Sequence, residues 1–120
     1  KTEDGKLHIM DYKTCSWGWG KQQKTDKMLA YQLVLYKHFF AQKYEIDTND
    51  IEVHFCLLKR TAKKNVVEVF SITSGEKRTN NALDLMTRAI KTIKNKVHIK
   101  NRLACTKGYG CEFYKTEHCK

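Results

Sequence analysis

The hydrophobic repeat of this chain switches between two periods, and that switching constrains the fold more than any other feature. Residues 7–13, LHIMDYK, alternate with period two. Leu7, Ile9, Asp11 and Lys13 share one face of an extended strand, and His8, Met10 and Tyr12 share the other. From about Asp26 to Tyr44 the repeat lengthens: Leu29, Leu33, Tyr36 and Phe40 recur at helical spacing, backed by Gln32 and Phe39. Thr25 or Asp26 supplies the N-cap. Period two returns in IEVHFCLLKR, with Ile51, Val53, Phe55 and Leu57 on one side. It returns again in VVEVFSI, beyond the short basic turn TAKKN. A second helix is predicted near residues 79–97, on the stripe Leu83, Met86, Ile90, Ile93 and Val97. The order strand, helix, strand, strand, helix predicts an α/β fold with a mixed central sheet flanked by helices. A glycine-aromatic loop, containing SWGWG, fills Thr14–Gln23, and an irregular cysteine-rich tail follows the second helix.

With 120 residues the chain has room for one small core. Residues 1–104 are expected to form that core, and residues 105–120 the tail of the same domain. EDGK at residues 3–6 carries an Asp-Gly turn signal that would join an earlier strand to the first one seen. The expectation is therefore a partial core, continuing a chain that begins before Lys1. No apolar run approaches the ~18 residues of a membrane span, so no membrane partner is expected. Five cysteines cannot all pair, and Cys56, inside VHFCLL, reads as a buried thiol. That usage points to a reducing, intracellular compartment, the cytoplasm of a bacterium or of an infected host cell.

Lys and Arg number 23 against 13 Asp and Glu, a net charge of +10. Such an excess favours polyanions, because each cation placed on a phosphate backbone releases condensed counterions. Lys59, Arg60, Lys63 and Lys64 form a basic hairpin tip and are the candidate DNA contacts. Lys91, Lys94, Lys96, Lys100 and Arg102 form a second strip, which the helix C-terminal dipole also explains. Trp17 and Trp19 suit base stacking or core capping equally well.

The strand motif carries the chemistry. Asp11 and Lys13 are two apart, so their side chains project together. A carboxylate holds a hard divalent cation, and an ammonium beside it orients water and offsets phosphate charge. One loop later, AYQLVLY places Gln32 and Tyr36 four apart, on one helical face.

Together D-Y-K-T and, about twenty residues on, Y-Q-L-x-L-Y resemble the RecB-like nucleases of the PD-(D/E)XK superfamily. The resemblance runs through residues 7–40 and implies a restriction-endonuclease-like core, of which residues 1–104 would be a part. It implies Mg²⁺- or Mn²⁺-dependent DNA hydrolysis, exonuclease-like, in replication, recombination or repair, and possible viral origin. By it, Asp11 and the Tyr12 carbonyl are metal ligands, Lys13 is the catalytic lysine, and Gln32 and Tyr36 line the active site. DNA and a helicase or another replication or recombination protein would be the partners. The family's further acid would fall before Lys1, so residues 1–120 alone are expected to be inactive or nearly so. The alternative is a nuclease-like module that has lost cleavage and binds nucleic acid or protein.

Cys105, Cys111 and Cys119 lie in ACTKGYGCEFYKTEHC. Several RecB-like nucleases end in a similar segment that helps to hold an iron-sulfur cluster. Here the usual tight C-x2-C is absent, and His118 offers a zinc alternative. Free thiols or a disulfide in an irregular tail account for the same residues, and the three readings stay open.

Overall fold

The computed structural model describes residues 5–97 and 102–117. Strand β1 spans Leu7–Cys15, a single-turn helix α1 Lys21–Lys24, and the long helix α2 Lys27–Tyr44. A 3-10 turn at Thr48–Asp50 leads into β2, Ile51–Lys59; β3, Val67–Ser71, and α3, Glu76–Lys94, follow. The sheet order is β1-β2-β3. β1 and β2 are parallel, with Leu7 opposite Ile51 and Asp11 opposite Phe55. β2 and β3 are antiparallel, with Phe55 opposite Phe70. The sheet is thus mixed, and α2 is the crossover that parallel neighbours require.

Local chemistry explains the element ends. The Asp26 carboxylate accepts from the Met28 and Leu29 amides at 2.7 and 3.2 Å, satisfying two of the helix's orphan donors. At the other end Glu45 turns left-handed, φ 53°, and its amide returns to the Ala41 carbonyl. The loop expected over Thr14–Gln23 gives way at Lys21 to α1, and α3 begins at Glu76, three residues before its hydrophobic stripe suggests.

Register decides what each sheet face carries. Odd-numbered β1 and β2 residues face α2, where Leu33, Val53, Phe55 and Leu57 form a buried cluster. Ile9, Cys15, Trp19, Leu29, Phe70 and Ile72 pack around it. Each fully buried Leu or Phe there contributes about 1.5–3 kcal/mol relative to exposure. The helix contact differs from the expected stripe. Ala30, Leu33, Val34 and Ala41 are buried, whereas Tyr36 is 48% exposed. Small residues let α2 lie close to the sheet, and the rotation carries Gln32 and Tyr36 to the flank beside β1. The opposite sheet face leaves Met10, Tyr12, Leu58, Val67 and Val69 exposed, although Cys56 on central β2 is buried, as its apolar setting predicts.

The compact units of the chain divide between Thr87 and Arg88, inside α3. In the second, Ile90, Ile93 and Val97 are exposed. A 3-10 turn covers Arg102–Cys105, and the Cys111 amide donates to the Cys105 carbonyl at 3.1 Å. Among the described residues no helix is long and apolar enough to cross a membrane.

Candidate active site

Asp11, Lys13, Gln32 and Tyr36 come together in one continuous chain of contacts. β1 projects Asp11 and Lys13 toward α2, and α2 presents Gln32 and Tyr36 one turn apart. Lys13 Nζ lies 3.0 Å from Asp11 Oδ2. It also donates to Gln32 Oε1 at 3.2 Å, and Gln32 Nε2 donates to Tyr36 Oη at 2.9 Å. The amide orientation follows from the chemistry: an ammonium has only donors, so the Gln32 carbonyl must face Lys13. Tyr36 accepts through its oxygen, which leaves the hydroxyl proton directed elsewhere.

Asp11 Oδ2 is buried and receives no hydrogen bond among the described residues, even though the ammonium is 3.0 Å away. The two observations agree once direction is considered. The ammonium is close enough for Coulombic attraction but lies off the line that a hydrogen bond requires. A buried carboxylate oxygen without a directed donor is costly, and a cation would satisfy it. The Asp11 and Lys13 side chains are 18% and 30% exposed, so the pair is shielded yet reachable. Beside Tyr36, a cleft of about 370 Å³ is lined by Ile9, Leu35, Phe39, Phe40, Lys43 and Tyr44.

Other predicted residues separate. The ring of Tyr12, between Asp11 and Lys13, points to the opposite sheet face and is exposed. Arg60, Lys63 and Lys64 are exposed at the β2–β3 connection. Lys59 differs from them: it is only 14% exposed, and its Nζ lies 2.7 Å from Glu68 Oε2. Lys24 pairs with the other oxygen of Glu68. These two ammonium donors hold the Glu68 carboxyl below its ordinary range. Gly18, at φ 116°, makes room for this arrangement, since a Cβ there would stand 3.1 Å from Lys59 Cε. The tryptophans divide: Trp19 caps the core against Phe55 and Phe70, with ring centroids 5.1 and 6.1 Å away, and Trp17 is exposed. Cys105 is half-buried and Cys111 exposed; Cys119, His118 and Lys100 lie outside the described residues.

Sequence reasoning passed over a second cluster. His8, Glu52 and His54 meet on the sheet face opposite Asp11, in an arrangement that could hold a metal ion. His8 belongs to β1 and the other two to β2, so only the β1–β2 register reveals their meeting. Glu52 and His54, two apart on one face of β2, are half of the cluster, and nothing near them in sequence points to His8. No known protein family, curated protein or solved structure matches this chain.

Proposed function

We propose that this chain carries the catalytic strand and helix of a divalent-metal-dependent DNA nuclease of the RecB-like, PD-(D/E)XK type. The observation that carries the reading is the contact chain from the undonated Asp11 oxygen through Lys13 and Gln32 to Tyr36. Asp11 would hold Mg²⁺ or Mn²⁺, with the Tyr12 carbonyl as a neighbouring oxygen ligand. The cation would supply Lewis-acid polarisation of the scissile phosphate. Lys13 offsets charge on the phosphoryl oxygens and orders the attacking water. Gln32 holds the Lys13 ammonium in place, and Tyr36 offers its hydroxyl proton to a phosphate oxygen. The aromatic cleft beside Tyr36, with Lys43 on its rim, suits stacking of an unpaired base. Arg60, Lys63 and Lys64 would extend the phosphate track.

The test is Mg²⁺-dependent cleavage of linear DNA by the full-length protein, with DNA affinity measured in parallel. Lys13→Ala should abolish cleavage while binding persists, because the lysine acts on the transition state more than on the ground state. Cleavage by the variant at the wild-type rate overturns the assignment.

A further inference from the structure

We propose that His8, Glu52 and His54 form a zinc-binding site on the sheet face opposite Asp11, clipping β1 to β2. His8 Nδ1 and His54 Nε2 lie 2.8 Å apart. Glu52 Oε2 lies 4.0 Å from the first and 3.8 Å from the second. The point equidistant from three atoms so spaced is about 2.1 Å from each, the length of Zn–N and Zn–O bonds. The ring centroids are 5.0 Å apart and the planes differ by 27°, so the imidazoles meet edge to edge with the two nitrogens between them. Binding exchanges this N–H···N bond for two nitrogen–metal bonds, and the proton on His8 Nδ1 passes through water to the other nitrogen of that ring. At these bond lengths tetrahedral spacing is about 3.4 Å, so the histidine–histidine edge must open by about half an ångström and the two edges to Glu52 must close by about as much, which a small swing of the side chains supplies.

The surroundings are those of a built site. Lys6 Nζ takes Glu52 Oε1 at 2.6 Å and leaves Oε2 toward the imidazoles. Ser71 Oγ, on β3, lies 3.1 Å from His54 Nδ1. With the proton on Nδ1 donated to Ser71, Nε2 is the bare nitrogen a metal needs, and the second partner fixes the ring. The side chains are 24% exposed for His8, 13% for His54 and 40% for Glu52, which leaves room for water in the remaining position. Two imidazoles and one carboxylate favour zinc, cobalt or nickel over magnesium. The ligands come from strands 46 residues apart in sequence at His8 and His54, so the ion would tie a long loop closed.

Co²⁺ uptake by metal-free protein, followed by its visible ligand-field absorption, tests the site. Cys105→Ser, Cys111→Ser and Cys119→Ser together keep the tail from contributing. This triple variant should keep a tetrahedral cobalt spectrum without a sulfur charge-transfer band, and Zn²⁺ should displace the cobalt. His8→Ala and His54→Ala should each weaken uptake by about tenfold or more. Glu52→Gln, which preserves shape, covers the case in which a histidine variant fails to fold. Asp11→Asn should leave the spectrum unchanged, so failure here is separable from failure of the nuclease reading. No uptake, uptake that survives both His54→Ala and Glu52→Gln, or a spectrum lost with the cysteines overturns the proposal.

Discussion

Replacing Lys13 by methionine keeps the aliphatic stem and removes the charge beside Asp11. The cost can be bracketed from the exposure of the pair, 18% for Asp11 and 30% for Lys13. Fully exposed pairs contribute about 0–1 kcal/mol, and breaking a fully buried one costs about 3–5 kcal/mol. A coupling of about 1–2 kcal/mol is expected, and Lys13→Met should cost about 2 kcal/mol once the lost bond to Gln32 is included. Urea denaturation of wild type, Lys13→Met, Asp11→Asn and the double variant gives the coupling as a thermodynamic cycle. Mg²⁺ adds a second reading. At a hundredfold excess over its dissociation constant it should stabilise wild type by about 2.7 kcal/mol. The gain should persist in Lys13→Met, where the cation takes over the task of the ammonium, and vanish in Asp11→Asn. A coupling near zero, or a Mg²⁺ gain that survives Asp11→Asn, refutes the reasoning.

Three further outcomes are expected. Gly18→Ala should destabilise the fold by about 1–2 kcal/mol in chemical denaturation, because it strains a left-handed backbone and pushes Lys59 away from Glu68. Glu68, held below its ordinary carboxyl pKa of 4.5 by Lys24 and Lys59, stabilises the fold fully above that value. The contribution is lost as pH falls through the lower folded value, so Glu68→Gln should lower Tm at pH 7 and flatten the acid limb of Tm against pH. DNA affinity should fall steeply with salt, since the net charge of +10 implies several phosphate contacts; a flat titration between two salt concentrations contradicts the basic track.

The α/β order and the Asp11/Lys13 pairing were legible because period two and period 3.6 are strong signals, and Asp26 sits where a cap must. The buried face of α2 was not. Leu29 and Leu33 of the helical repeat pack there, but Tyr36 of the same repeat is exposed, because the sheet selects the smaller Ala30, Val34 and Ala41. Hydrophobicity alone cannot say which flank of a helix will hang over a site. Gln32 and Tyr36 were legible through their spacing and their resemblance to a nuclease motif, yet their hydrogen-bonded order required coordinates. Lys59 read as one more cation in a basic turn, because its partner Glu68 lies across a hairpin. The His8–Glu52–His54 cluster was invisible for a similar reason: parallel register depends on the crossover helix, and nothing local to either strand encodes it.

The central claim is that a divalent cation sits at the Asp11 carboxylate, and a paramagnetic ion reports its position without requiring turnover. Mn²⁺ titrated at substoichiometric levels into isotope-labelled protein broadens the resonances of nuclei near it. The account predicts broadening centred on Asp11, Tyr12 and Lys13, extending to the Gln32 and Tyr36 side chains and removed by Asp11→Asn. Broadening absent from these residues, or unchanged by Asp11→Asn, would contradict it.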